Sequence, residues 1–116
     1  MQGKLVPQIL RHATDRSITL SHHKPKYSLL WLHGLGDEAE TYLPYFAHLQ
    51  SPLYHHCRIK LLQAPKRFTT INQEENNAWF DMRSAHRFNT PENQMYDLNQ
   101  LDQTSHLIAA YCKEEE

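Results

Sequence analysis

A short turn with two glycines is the part of this sequence whose residue types and spacing best suit chemistry. Residues 32–37 spell Leu-His-Gly-Leu-Gly-Asp, between an apolar run and an amphipathic segment. Gly34 and Gly36 allow backbone conformations closed to other residues, so N–H groups of the turn can point at an oxygen that becomes negative in a transition state. Such a turn at a helix N-terminus also suits an anion. The same pattern occurs where a tight turn merely joins a strand to a helix, and both interpretations stay open on these residues alone.

Histidine and cysteine offer no comparable site. The nine histidines include adjacent pairs at 22–23 and 55–56, but neither pair has the HExxH spacing of a zinc site. Adjacent residues on a strand point to opposite faces, so a shared set of ligands is not expected. Cys57 and Cys112 form no CxxC clip, and each is expected to be a small buried apolar residue. We predict neither a metal site nor a cofactor.

Composition and charge exclude several other classes of protein. Lys and Arg total 12 against 13 Asp and Glu, for a net charge of -1, so no strong field attracts nucleic acid. The longest strongly apolar run covers residues 29–32, far below the roughly 18 residues of a spanning helix. Two isolated thiols fit a reducing compartment. We therefore expect a cytoplasmic, globular protein with no transmembrane segment and no nucleic-acid partner.

The elements around the glycine turn follow the order of a βαβ unit. Residues 17–20 are rich in strand-forming side chains, and residues 27–33 form the nearly unbroken apolar run typical of a buried parallel strand. Thr41 is predicted to cap the next helix, with Pro44 in its first turn. A second apolar strand follows at 57–62, so we expect an α/β fold with a mainly parallel sheet and flanking helices. The helical stripe expected to face the core comprises Tyr42, Tyr45, Phe46 and Leu49.

The second half of the chain gives weaker signals. Residues 66–77 have no sustained apolar period and are predicted to form a long irregular segment, a kind that is often functional. An apolar cluster follows at 78–82. Thr90-Pro91-Glu92 has the residue types of a helix start, with a cap, a proline at the first position and an acid near the dipole. The stripe predicted along that helix comprises Leu98, Leu101, Ser105, Ile108 and Cys112.

Four motifs in order carry a resemblance to a known family. After residues 32–37 come Gln-Ala-Pro at 63–65, Thr-Ile-Asn at 70–72 and Ala-Trp-Phe-Asp at 78–81. In their order and approximate spacing the chain resembles the acyl-protein thioesterases and their bacterial carboxylesterase relatives. The resemblance covers about residues 28–82, and the closing helix fits the family's helix before its nucleophile strand.

The resemblance implies a fold, a reaction and a set of site residues. The fold would be a single partial α/β-hydrolase domain over residues 1–116, and the reaction the hydrolysis of long-chain acyl thioesters or esters. Substrates would include palmitoyl groups on protein cysteines and lysophospholipids. The backbone N–H of Leu35 would be one oxyanion-hole donor and its side chain an apolar wall. Trp79 and Phe80 would lie near the acyl end of the substrate, although either could instead be a core aromatic.

Two flanking polar residues have structural interpretations. His33 is expected to be structural, because a general base must reach a positioned nucleophile. Asp37 is expected to brace the turn or the start of the helix. The resemblance therefore places no proton-transfer group in this turn.

The sequence departs from the family where the chemistry is centred. The nucleophile elbow is Gly-x-Ser-x-Gly, and the Asp and His of the triad follow it in chain order. With only three glycines, no serine here is so flanked, which implies a fragment truncated before the elbow, with no triad residue and no second oxyanion donor. The alternative is a catalytically inactive remnant, or an acyl-binding or interaction module that associates through an exposed sheet edge.

Overall fold

The computed structural model describes residues 6–22, 24–49, 56–83 and 95–115. These residues form two compact units. The sheet unit contains the described residues of 6–33 and 37–63, and the hairpin unit contains residues 34–36 and the described residues of 64–115. The elements are, in chain order, β1 (Gln8–Arg11), β2 (Ile18–Ser21), β3 (Tyr27–Leu32), α1 (Ala39–Ala47), β4 (Cys57–Leu62), β5 (Lys66–Thr69), β6 (Glu74–Asn77) and α2 (Leu98–Glu114).

The sheet unit is built on four strands in the order β1-β2-β4-β3. Strands β3 and β4 are parallel, with Leu29 opposite Ile59, because helix α1 returns the chain between them. Strand β2 is antiparallel to both β1 and β4, and a short connection such as the one from β1 to β2 permits only that arrangement. The predicted α/β class and its βαβ unit are confirmed, and the described part of the sheet is mixed rather than mainly parallel.

The core of the sheet unit lies on its two central strands. Ile18 and Leu20 of β2 and Ile59 and Leu61 of β4 are each at most 1% exposed. Alternate residues of a strand point to the same face, so these side chains form one apolar layer. Helix α1 covers this layer with Ala39 and Leu43.

Strand β3 lies where the sequence predicted it, but the prediction that it is buried is wrong. It is the last strand in the order of the described sheet, and Trp31 and Leu32 are each 37% exposed. An apolar run shows that a strand is suited to burial on both faces. It does not show whether the strand has a neighbouring strand on each side. Trp31 instead packs on helix α1, with its ring centroid 5.4 Å from that of Tyr42 and 5.3 Å from that of Phe46.

Helix α1 begins earlier than expected. Its N-cap is Glu38, which makes no side-chain capping hydrogen bond, so the predicted cap at Thr41 is wrong. The amide of Ala39 instead donates to Oε1 of Gln63 over 2.8 Å, and a side chain that follows β4 thus satisfies one of the helix's free N–H groups. Because of the earlier start, Pro44 lies inside the helix rather than in its first turn.

The apolar stripe of α1 is displaced from its predicted position. Leu43 is buried, while Tyr42 and Phe46 are partly buried against the core. Tyr45, which was expected to face the core, is 70% exposed. The predicted stripe was centred on the larger aromatic residues, whereas the smaller Leu43 and the preceding Ala39 allow the helix to approach the sheet.

The hairpin unit starts with an element that the sequence analysis missed. Residues 66–77, predicted to be irregular, form strands β5 and β6 of an antiparallel hairpin, with Lys66 opposite Asn77 and Thr69 opposite Glu74. Most of its residues are polar on both faces, so no alternation of apolar side chains marked it. Gln73 in its turn has φ of 54°.

Helix α2 is capped by Asp97, whose side chain accepts a hydrogen bond of 3.0 Å from the amide of Gln100. The helix start predicted at residues 90–92 lies outside the described residues. Of the predicted stripe, Leu101 and Ile108 are half-buried, and the residue most buried on that face is Thr104. The predicted stripe is wrong at its other three positions, and the expectation that Cys112 is buried is wrong as well. The exposed positions are Leu98, Ser105 and Cys112.

Neither described helix has the length and apolar character needed to cross a membrane. Within the described ranges, no three or more His, Cys, Asp or Glu side chains are grouped so that they could hold a metal ion.

Candidate active site

The glycine turn has the local geometry of an amide-presenting loop. Gly36 has φ of 81°, a region that glycine occupies without steric cost. A Cβ at this position would meet nothing closer than Oδ1 of Asn76 at 3.7 Å, so the requirement for glycine comes from the backbone angle and not from lack of space. The Gly36 amide donates to the carbonyl oxygen of Asn77 over 2.9 Å. One amide of the turn is thus fixed to the end of β6.

The neighbouring amide is the one that the resemblance assigns to the oxyanion hole. Leu35 is 39% exposed, and no described residue accepts a hydrogen bond from its amide. A backbone N–H that is held by its neighbours and has no partner of its own is suited to bind an anionic oxygen. The turn therefore has one amide that anchors it and one, that of Leu35, that has no hydrogen-bond partner among the described residues.

The residues that flank the turn have structural partners within the sheet unit. His33 is 3% exposed, and its Nε2 lies 3.3 Å from Nε2 of Gln63. Since Oε1 of Gln63 accepts from Ala39, the Gln63 Nε2 is the donor and His33 Nε2 the acceptor. The hydroxyl of Tyr42 donates to Oδ2 of Asp37 over 2.7 Å. These contacts support a structural role for both flanking residues.

Trp79 and Phe80 are both half-buried in the hairpin unit. Phe80 packs edge-on against Tyr96, with ring centroids 5.8 Å apart and an interplanar angle of 83°. The hydroxyl of Thr104 on α2 donates to the carbonyl oxygen of Trp79. Trp79 is thus fixed at its carbonyl oxygen, and both aromatic residues remain partly exposed.

The β5–β6 hairpin holds the same segment from its other end. The amide of Ala78 donates to the carbonyl oxygen of Pro65 over 3.0 Å, and Nε of Arg67 donates to the carbonyl oxygen of Ala78 over 2.9 Å. Both partners belong to the stretch that follows β4. Ala78, the residue before Trp79, is therefore held on both its amide and its carbonyl oxygen by residues at the start of the hairpin.

All five residues that the sequence assigned to the site lie in the hairpin unit: Gly34, Leu35, Gly36, Trp79 and Phe80. The hydrogen bond from Gly36 to Asn77 attaches the turn two residues before Trp79. Sequence reasoning missed Asn77 because its part is played by a backbone carbonyl. It also missed Thr104, although a polar residue in the middle of an apolar helical face was a usable signal.

An exposed ion pair lies in the sheet unit. Arg11 donates from Nε to Oε1 of Glu40 over 2.6 Å and from Nη2 to Oε2 over 3.2 Å. This hydrogen bonding holds the pKa of Glu40 below its ordinary value. Both side chains are more than half exposed, so the pair is a surface feature and supplies no buried acid or base.

Comparison with known proteins gives two matches and one negative result. The family model described as Phospholipase/Carboxylesterase matches residues 13–115. Ten chains of solved structures match this one, among them the crystal structure of Zea mays acyl-protein thioesterase 2, with a TM-score of 0.67 and 22% identity over 83% of this chain and 39% of that chain. No curated protein matches the chain. The chain thus spans about two fifths of the maize structure's length, and at this identity the likeness establishes the fold.

Proposed function

Because the chain belongs to the phospholipase/carboxylesterase family and has an α/β-hydrolase fold, we propose that it supplies one oxyanion donor and part of the acyl site of a serine hydrolase. The observation that carries the proposal is the glycine turn, in which Gly36 is anchored to Asn77 and the amide of Leu35 has no partner among the described residues. An amide held in this way stabilises the negative oxygen of a tetrahedral intermediate without reorganising.

The proposed substrates are acyl thioesters and esters. They include palmitoyl thioesters on protein cysteines, carboxylic esters and lysophospholipid esters, consistent with the thioesterase among the matched structures. The half-buried rings of Trp79 and Phe80 would contact the acyl chain, because apolar chains gain free energy by leaving water for such surfaces. A cytoplasmic location is part of the proposal, supported by the free thiols of Cys57 and Cys112.

The nucleophile is not assigned to these 116 residues. None of their serines lies in Gly-x-Ser-x-Gly, and an oxyanion donor alone has no attacking group to assist. The proposal therefore limits this sequence to substrate binding and charge stabilisation, and assigns the nucleophile and the base to residues outside it.

Binding of an acyl probe tests this assignment. We expect the chain to bind cis-parinaric acid, a fluorescent fatty acid, and Trp79→Ala and Phe80→Ala each to weaken that binding by about tenfold, since each removes part of an apolar contact surface. Phe68→Ala is the matched control, because Phe68 is an exposed aromatic residue of the same unit. Absence of binding by the unmodified chain, or equal losses in all three variants, would contradict the proposal.

A second candidate function is an acyl-binding or interaction module without activity, which the missing elbow favours. Association through β3 belongs to this candidate, because that strand ends the described sheet and exposes Tyr27 and Trp31. We expect the chain to hydrolyse a p-nitrophenyl acyl ester no faster than buffer does. Labelling of a serine by a fluorophosphonate, with matching loss of ester turnover, would exclude this candidate.

A further inference from the structure

The carboxylate of Asp81 occupies an unusual position for an acid. Asp81 is 8% exposed, and its Oδ1 accepts from the backbone amide of Thr70 over 2.7 Å while Oδ2 accepts from the Thr70 hydroxyl over 2.6 Å. Arg83 is a longer partner, with Nε 3.8 Å from Oδ2. Both carboxylate oxygens thus accept hydrogen bonds from the turn between β5 and β6, so this acid has a structural role.

The backbone of the same residue is held by helix α2. The Asp81 amide donates to Oε1 of Gln100 over 2.7 Å, and the Asp81 carbonyl oxygen accepts from the amide of Asp97 over 3.0 Å. The side chain of Asp81 therefore binds the hairpin, and its main chain binds helix α2 and the cap of that helix. The residues that immediately precede it are Trp79 and Phe80.

We infer that Asp81 is a positioning residue that fixes the direction in which Trp79 and Phe80 present their rings. Trp79 is held at its carbonyl by Thr104, and Asp81 fixes the chain two residues later. Between these points the backbone of Phe80 has little freedom. The expected effect of Asp81 on acyl binding rests on the proposed function. Its expected effect on the orientation of Trp79 does not.

Two substitutions at position 81 separate the effect of the side chain's shape from the effect of its charge. Asparagine has the shape of aspartate, and its Oδ1 can accept from the Thr70 amide while its Nδ2 donates to the Thr70 hydroxyl oxygen. Alanine can make neither bond. If Asp81 acts by position, Asp81→Asn keeps the arrangement and Asp81→Ala loses it.

The test uses Trp79 as its own reporter. The chain has two tryptophans, so all variants are made in a Trp31→Phe background, and the emission maximum and acrylamide quenching of Trp79 are measured without ligand. We expect Asp81→Ala to shift the emission to longer wavelength and to raise quenching, and to weaken binding of cis-parinaric acid by about tenfold. Asp81→Asn should stay within about twofold of the parent in binding. Asp102→Ala is the control, because Asp102 is an exposed acid on α2.

The results of this experiment distinguish a failure of the proposed function from a failure of the role inferred for Asp81. Failure of the parent chain to bind the probe would refute the proposed function, and the ligand-free spectra would still decide the role of Asp81. An unchanged Trp79 spectrum in folded Asp81→Ala, or an Asp81→Asn variant as perturbed as Asp81→Ala, would overturn the inference. If Asp81→Ala does not fold, Thr70→Val replaces it and Thr70→Ser serves as the rescue, with the same expected loss and recovery of the Trp79 signal.

Discussion

Each of the two units of this chain is stabilised internally by a different kind of interaction. The sheet unit buries apolar side chains of its central strands, with Ile18, Leu20 and Leu61 almost fully inaccessible. In the hairpin unit several of the buried side chains are polar, and they bond to backbone groups of other segments: Thr69, Asp81 and Thr104. The first unit rests on the hydrophobic effect and the second in large part on a set of hydrogen bonds.

The two units should therefore respond to different kinds of substitution. An apolar layer tolerates polar changes at its margin but not loss of volume at its centre. A segment held by side-chain to backbone bonds is instead sensitive to single hydroxyl, amide or carboxylate groups, since each leaves a buried partner unsatisfied when it is removed. The candidate site belongs to the second kind of structure.

The largest effect is expected at the centre of the sheet unit. Leu61→Ala removes a side chain with 0% exposure and should lower the free energy of unfolding by about 2–5 kcal/mol, through lost burial and a cavity. Urea denaturation followed by circular dichroism measures it. Leu10→Ala on β1, where the side chain is 58% exposed, should change stability by no more than about 0.5 kcal/mol. Equal losses in the two variants would mean that the apolar layer is not the basis of this unit.

The next effect is expected at the glycine turn. Gly36→Ala places a side chain at φ of 81° and should lower the free energy of unfolding by about 1–2 kcal/mol. Gly34→Ala is the matched change in the same turn, and among the described glycines only Gly36 has positive φ. Thermal unfolding of the pair compares them directly. A Gly34→Ala variant that is the less stable of the two would show that the turn has another conformation.

A smaller effect is expected from one hydroxyl in the hairpin unit. Thr104→Val keeps the shape of the side chain but removes the donor to the Trp79 carbonyl oxygen, at a cost of about 1 kcal/mol. Thr104→Ser should recover much of the loss because it restores the hydroxyl. Amide hydrogen exchange in the hairpin unit reports the change locally, and equal exchange in Thr104→Val and the unmodified chain would argue against the hydrogen-bonded description.

The smallest effect is expected at the surface pair of the sheet unit. The hydrogen bond from Arg11 lowers the pKa of Glu40 from its ordinary 4.5, so the pair's contribution to stability is complete above that value and is lost as pH falls through the lowered pKa. Arg11→Gln should return the Glu40 pKa toward 4.5 and flatten the dependence of stability on pH in this window. Carboxyl titration by NMR measures it, and salt should weaken the difference between the two chains. Titration of Glu40 at its ordinary pKa in the unmodified chain would rule the pairing out.

Sequence alone located the elements whose apolar side chains follow a pattern. Strand β4 was predicted over 57–62 and forms over Cys57–Leu62, because its inner residues are buried between two neighbouring strands. The β5–β6 hairpin was missed because its side chains are mainly polar, and the burial of β3 was wrong because the pattern of a strand does not specify its neighbours.

The candidate site, like the fold, could be predicted from the sequence only in part. Glycine spacing identified the turn at residues 34–36, and Gly36 does adopt a positive φ. The anchoring of that turn could not be predicted, since Asn77 contributes a backbone carbonyl, which any residue type could provide. The pairing of Thr70 with Asp81 joins two of the motifs that carried the resemblance, but only the folded chain shows which atoms meet.

The proposed function requires that the turn anchors the Gly36 amide and presents the Leu35 amide to an acyl carboxylate or oxyanion, with Trp79 contacting the same ligand. A nitrogen-labelled chain titrated with decanoate tests it by NMR, because the carboxylate stands in for the oxyanion and the alkyl chain for the acyl group. We predict that the Leu35 amide and the Trp79 indole resonances shift together with one dissociation constant, while the Gly36 amide stays protected from hydrogen exchange. A Leu35 amide that does not respond, or that is protected before decanoate is added, would contradict the account.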